Sequence, residues 1–251
     1  MMETVERFSD RVGNYVKYRP TYPPKVLDLF RDEMNLQNSS TVADIGAGTG
    51  ISAKIFLDNG NPVFAVEPNA AMREAAAEFL GDYSNLTLVN GISENTTLAD
   101  NSIDFVVAAQ AFHWFKQNET CAEFKRILRD EGFVALIWNE RQLDSTAFLK
   151  DYEKHLVKFG TDYEKIRHDK ITSKTLRDFF QIDFKEAIFQ NQQNLDFDGL
   201  KGRMLSASYV PSPENPCFPA MLGNLESLFA EHAENGRIDI LYDTKIFYGR
   251  I

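Results

Sequence analysis

The chain has 251 residues, 43% hydrophobic and 25% charged, a composition that builds a globular core and excludes a disordered chain. Its 27 Lys and Arg against 37 Asp and Glu leave a formal net charge of -10, which disfavours nucleic acid as a partner because phosphate binding needs a basic surface. No run approaches the roughly 18 continuous apolar residues of a membrane span, and the opening MMETVERFSDRVGNYVKYRP lacks the apolar core of a signal peptide. The expected location is the cytoplasm, with no membrane partner. Cys121 and Cys217 are too few for a disulfide framework. The histidines (His113, His155, His168, His232) are scattered without ligand spacing, so no metal is expected.

From residue 41 the chain alternates strands with helices, the pattern of a parallel sheet covered on both faces. Residues 41–45 are short, apolar and β-branched, and a glycine cluster follows them. Residues 51–58 have helical spacing through Ile51, Ile55 and Leu57, with Gly60 as a stop. A strand over 62–66 leads to an Ala-rich helix over 69–80, with Met72, Ala76 and Phe79 on one face. Strands follow at 86–89 and 103–109, the latter almost wholly apolar as buried parallel strands are. An amphipathic helix over 119–128 is closed by Arg129, Asp130, Glu131 and Gly132, and a fifth strand takes 133–138.

Beyond Asn139 the texture changes. Residues 141–180 are charged, aromatic and helix-biased, and are expected to form a helical lid inserted over the carboxyl edge of the sheet. A sixth strand is expected at 184–189, a Ser- and Pro-marked turn within 200–212, a helix over 219–232 and a terminal strand over 238–248 at the sheet edge. One domain therefore spans 1–251: an N-terminal flap and helix (1–40), a ligand-binding core (41–140), the lid (141–180), and the remaining sheet with the C-terminal strands (181–251).

The strongest chemical signal is Asp44-Ile45-Gly46-Ala47-Gly48-Thr49-Gly50, between a strand and a helix. Glycines there let the chain turn sharply and let a ligand lie against bare backbone. A dinucleotide fingerprint would need a sixth-place glycine where Ile51 stands. Glu67 ends the second strand 21 residues after Gly46, where an acidic side chain binds ribose hydroxyls.

VADIGAGTG, VFAVEPNAAM and NGISENTTLADNSIDFVVAAQAFHW together resemble the class I S-adenosylmethionine-dependent methyltransferases, over residues 40 to 140. More narrowly, YVKYRPTYP, QAFHWF, ALIWNER and SASYVP are similar to the small-molecule branch that includes trans-aconitate methyltransferase-like proteins. The resemblance implies a Rossmann-like α/β fold: a mostly parallel seven-stranded sheet with helices on both faces. It implies S-adenosylmethionine as cofactor and a small-molecule methyl acceptor, a carboxylic acid among the options. Carried over by position, it gives Asp44, Gly46, Ala47, Gly48 and Gly50 to the methionine end of the cofactor and Glu67 to the ribose. Pro68 and Met72 would line the adenine. The acidic residue that the family often places before the adenine is Ile92 here, which shifts that contact to Ser93 or Glu94. Gln110 matches a position facing the methionine moiety.

His113, directly after the fourth strand, is the candidate base or substrate-orienting residue. Trp114, beside it, is a candidate for the acceptor pocket. In the N-terminal cluster Tyr15, Tyr18, Arg19 and Tyr22, which the resemblance suggests folds over the site, Tyr18 and Arg19 are assigned to the cofactor and Tyr22 to the substrate. Arg19, Arg141 and Arg203 are the cations suited to a carboxylate, since guanidinium pairs with it bidentately, and Tyr209 is a further pocket candidate. Two alternatives stay open: a cofactor-binding module without catalysis, and an NAD-dependent oxidoreductase.

Overall fold

The computed structural model describes residues 12–161, 163, 172–181 and 183–251, with the side chains of 12, 14 and 15 excepted. The expected flap residue Tyr15 therefore lies outside the described side chains, and His168 outside the described residues. A seven-stranded sheet runs in the order β3-β2-β1-β4-β5-β7-β6. The strands are β1 (Val42–Ile45), β2 (Val63–Val66), β3 (Leu86–Val89), β4 (Ile103–Ala109), β5 (Leu128–Arg141), β6 (Phe184–Leu195) and β7 (Ile238–Gly249). β1 to β5 are parallel, and β7 pairs antiparallel with both β5 and β6.

The period-2 alternation of the strands sorts their side chains onto two faces. Val42, Phe105, Val107, Ala135 and Ile137 point to one face. There they meet α2 (Lys25–Met34) through Phe30 and α3 (Ile51–Asp58) through Phe56. Ala43, Ile45, Val106, Leu136 and Trp138 point to the other, against α5 (Gln117–Ile127) and α7 (Ser173–Phe180). β1 is buried along its whole length, as a central parallel strand must be. In α2, Val26, Phe30 and Met34 recur every four residues on the buried stripe. In α4 (Ala70–Phe79), Met72 and Ala76 are buried, whereas Phe79, expected on the same face, is exposed.

A third cluster forms beyond the carboxyl end of β5. α6 (Ala147–Phe159), α8 (Phe197–Leu205) and α9 (Phe218–His232) pack Leu149, Tyr152, Leu200, Met204 and Leu225 around Ile240 and Tyr242 of β7. Side-chain caps start the first two helices: Thr146 accepts from the Leu149 N–H at 3.1 Å, and Asp196 from the Gly199 N–H at 2.8 Å. α1 (Val12–Tyr18) contacts both α4 and α8.

The structure corrects several boundaries. Residues 129–132, read as the close of a helix, belong to β5, with a register shift opposite Ile103 and Phe105. There the Arg129 guanidinium pairs with Asp104 at 2.7 Å, so the charged run is a paired strand start. The terminal strand is interior, and β6 is the edge. The Ser- and Pro-marked turn within 200–212 begins at Ser206, directly after α8. The 141–180 segment divides: α6 joins the third cluster, while α7 docks on the sheet through Leu176, Phe179 and Phe180. Among the described residues no helix is long and apolar enough to cross a membrane.

Candidate functional site

Sheet order reverses between β1 and β4, and a crevice opens outside the carboxyl ends of the strands at that point. A cavity of about 1140 Å³ occupies it. The glycine loop forms one wall. Gly46, Gly48 and Gly50 all have left-handed backbone, with φ of 71°, 57° and 85°, which glycine adopts without strain. Their surroundings differ. A Cβ at Gly46 would come within 2.7 Å of the Ala111 Cβ, and one at Gly50 would collide with Leu80, whereas one at Gly48 would meet nothing within 4 Å. Gly48 therefore presents bare backbone to open cavity, and Gly50 faces the core.

Glu67 sits at the end of β2. Its two carboxylate oxygens accept from the Gly48 N–H and the Asn69 N–H, both at 2.9 Å. Those bonds aim the carboxylate and leave further lone pairs for a diol. Burial pushes the Glu67 carboxyl above its ordinary value, against the opposing effect of the two N–H donors. Asn69 caps α4 by accepting from the Met72 N–H at 3.0 Å, and Pro68 and Met72 line the same wall.

Opposite them, Ile92, Ser93 and Glu94 line the cavity in a loop pinned from behind. The Thr120 hydroxyl donates to Ser93 at 3.0 Å, and Ser93 donates to Glu94 at 2.9 Å. Glu123 accepts from the Thr96 N–H and hydroxyl at 2.7 and 2.6 Å. The Arg126 guanidinium beside Glu123 holds its carboxyl down to about 2.

Gln110 follows β4 with φ of 58°, an uncommon backbone for a side-chain-bearing residue. Its amide nitrogen Nε2 donates to the Asn139 carbonyl at 3.2 Å. The Asn139 side chain in turn donates to the Thr21 carbonyl at 3.2 Å and accepts from Thr244 at 2.6 Å. Asn191 and Gln193 of β6 donate to the Thr21 and Tyr18 carbonyls at 2.7 and 3.0 Å, and Arg19 donates to the Ser206 carbonyl at 3.0 Å. The N-terminal segment is thus strapped along the cavity, with Arg19 and Tyr22 in its wall.

His113 and Trp114 lie on a single 3-10 turn, Phe112–Trp114, and both line the cavity. Trp138 is core, 2% exposed between Phe112 and Phe247. On the far side Arg141, Tyr163, Arg203 and Tyr209 complete the wall. Arg141 is already paired with Glu153 and donates to the Tyr163 hydroxyl at 2.9 Å.

Three of the residues expected in the site stand outside this lining. Asp44 is fully buried under the loop, where its carboxylate accepts from Ser52 at 2.6 Å. Gly50 supports the loop from the core side, and the Tyr18 ring packs on the backbone of Gly202 in α8. The other expected residues, including Ala47, come together around one cavity. Lys245 and Asp243 of β7 also line it and were missed, because only the interior position of β7 brings them there. Away from the cavity, Asp151, Glu231 and His232 bring one ligand atom each within 4.8 Å of one another, a grouping across two helices that sequence spacing could not show.

The site fits S-adenosylmethionine on its own features: bare Gly48 backbone, the aimed Glu67 carboxylate, and a buried Thr49 hydroxyl without a partner among the described residues. Residues 43–136 match the model of a methyltransferase domain family. This stretch, less than half of the chain, is therefore similar to a methyltransferase domain. The cofactor of such a domain is S-adenosylmethionine. An uncharacterized methyltransferase from Schizosaccharomyces pombe is 31% identical over 135 residues, covering 53% of each chain. One from Mycobacterium bovis is 35% identical over 134 residues, covering 53% of this chain and 52% of its own. The chain thus spans about half the length of the curated relatives it matches.

Among solved structures, a candidate type II methyltransferase from Anaeromyxobacter dehalogenans superposes with a TM-score of 0.69 at 19% identity. That match covers 93% of this chain and 98% of the other. An N-methyltransferase from Haemonchus contortus, bound to phosphomonomethylethanolamine and S-adenosylhomocysteine, gives 0.58 at 13%, covering 98% of this chain and 58% of its own. At these identities the structures speak for the fold, a Rossmann-like α/β sheet.

Proposed function

We propose that the protein is an S-adenosylmethionine-dependent methyltransferase acting on a small molecule, a carboxylic acid by preference. The observation that carries this reading is the Glu67 carboxylate, aimed by the Gly48 and Asn69 N–H groups at 2.9 Å into a cavity walled by the glycine loop. Glu67 holds the ribose hydroxyls. The loop from Gly46 to Thr49 holds the methionine end with Gln110. Pro68 and Met72 flank the adenine on one side, and Ile92, Ser93 and Glu94 on the other. When bound, the cofactor supplies an electrophilic methyl group on a positively charged sulfur.

The task of the protein is to align a nucleophile with that methyl group and to keep water out. The strapped segment with Arg19 and Tyr22, and Arg203 of α8 with Ser208 and Tyr209 beyond it, border the cavity around the reacting groups. Trp114, Arg141 and Tyr209 border the acceptor. His113, on the 3-10 turn that lines the cavity, orients the acceptor oxygen. A carboxylate enters already ionised, so no general base is required. The cationic wall and the short motifs that resemble the trans-aconitate methyltransferase-like branch both favour an acid.

Turnover tests the reading. Purified protein with S-adenosylmethionine and a panel of small carboxylic acids should form S-adenosylhomocysteine and methyl esters. A protein that binds S-adenosylhomocysteine yet turns over none of the acids, and instead methylates amines or phenols, would contradict the acid preference. In the acid reading, His113→Asn lowers kcat by less than about 10-fold. A loss of about 10²–10⁴, the usual contribution of general acid–base catalysis, would mark His113 as a base.

A further inference from the structure

Three guanidinium groups line the cavity, and their partners separate them. Arg141 is neutralised by Glu153 and bonded to Tyr163. Arg19 is committed to the Ser206 carbonyl in the strap. Arg203 differs. Its Nε donates to the Tyr242 hydroxyl at 3.1 Å, and that hydroxyl donates to Gln193 at 2.8 Å. Its two terminal nitrogens have no hydrogen-bond partner, and no carboxylate pairs with it, among the described residues. The other cations of the wall are satisfied otherwise: Lys245 pairs with Glu140 at 2.6 Å, and Lys116 is exposed to solvent.

The groups around Arg203 are phenols rather than acids. Its guanidinium lies 6.0 Å from the Tyr242 ring centre. Tyr209, with which it shares the cavity wall, stacks edge-on against Tyr163 with ring centres 4.8 Å apart. A half-buried guanidinium with one nitrogen fixed and a fork of donors open to a cavity is costly to leave unpaired. It is also the geometry that takes an oxyanion bidentately. Ser208 and Tyr209, just past the end of α8, add two hydroxyl groups to the same wall.

We infer that Arg203 is the specificity-determining residue of the acceptor site, binding an ionised oxyanion of the acceptor together with the hydroxyls of Ser208 and Tyr209. This inference rests on the methyltransferase reading and narrows it. The acceptor is an anion because Arg203 supplies the uncompensated charge, while Arg141 shapes the wall without binding it. Carboxylate and phosphate share the required chemistry.

The test uses the full chain saturated with S-adenosylhomocysteine, titrated calorimetrically with succinate, tricarballylate, benzoate and phenyl phosphate, and with succinamide and benzamide as neutral matches. At least one anion should bind saturably and its neutral match should not; the carboxylate and phosphate arms tell which oxyanion is taken. Arg203→Met should weaken that anion about 10- to 100-fold, the range for hydrogen bonds to charge, and leave S-adenosylhomocysteine affinity unchanged. Arg203→Lys should restore part of the loss, and Tyr209→Phe, which keeps the ring packing, should cost a smaller factor. Binding of no anion, equal binding of the neutral matches, or an Arg203→Met effect no larger than that of Arg141→Met would overturn the inference. Failure of the wild-type protein to bind S-adenosylhomocysteine would instead overturn the methyltransferase reading itself.

Discussion

Three glycines in one loop answer to different demands, and substitutions should separate them. Gly50→Ala drives a methyl group into Leu80 beside a positive-φ backbone, so it should destabilise the fold by about 1–3 kcal/mol, read by denaturant titration. Gly48→Ala has room and pays only the left-handed backbone, about 1–2 kcal/mol. Gly48→Val puts its bulk into the cavity, so it should abolish cofactor binding while the chain still folds. In the proposed reading Glu67 accepts from the ribose hydroxyls, so Glu67→Ala should weaken S-adenosylhomocysteine binding by about 1.5–3 kcal/mol. Unchanged affinity would show that the ribose lies elsewhere. These residues were legible in the sequence because a glycine loop and an acid at a strand end are local patterns. Arg203 could be named only as one cation among three, since what distinguishes it is the absence of an acid beside it, and that depends on where β7 and α6 lie.

At the scale of elements, α5 does more than cover the sheet. Thr120 and Glu123, one turn apart, hold the loop from Gly91 to Thr97 from behind. Glu123 has its carboxyl lowered by Arg126 and Thr96 to about 2 from an ordinary 4.5. A depressed acid stabilises the fold above its unfolded value and loses that contribution as pH falls toward the folded one. Glu123→Gln should therefore cost about 1–3 kcal/mol at neutral pH and progressively less between pH 4.5 and about 2. A pH-independent cost would contradict this account.

The helix itself was evident from its apolar spacing, whereas its link to the loop rests on contacts across 27 residues, which periodicity cannot reveal. The same limit explains β7. Alternation marked it as a strand, but its interior place between β5 and β6, and the burial of Ile238, Ile240 and Tyr242 in the third cluster, depend on the order of the whole sheet and on the helices packed beyond it.

Across the whole molecule the buried charge beneath the loop sets a pH dependence. Burial pushes Asp44 up to about 7 from 3.8, against the Ser52 hydrogen bond. The folded chain then holds a proton that the unfolded chain releases, so this group makes stability fall as pH rises from about 4 to about 7. Asp44→Asn should be the more stable protein at pH 8 and should lose the advantage toward pH 4, as measured by thermal denaturation without cofactor. The parallel core from β1 to β5 could be read from the alternation of strands and helices. The third hydrophobic cluster and the strap could not, because they join Tyr18 and Thr21 to Asn191 and Gln193, 170 residues and more away. All of this converges on one cavity and one class of ligand. The most direct measurement is calorimetric titration of the full chain with S-adenosylmethionine, S-adenosylhomocysteine and NAD in parallel. Saturable binding of the first two at one site, with none for NAD, is the predicted result; binding of NAD, or of none of the three, would contradict the account.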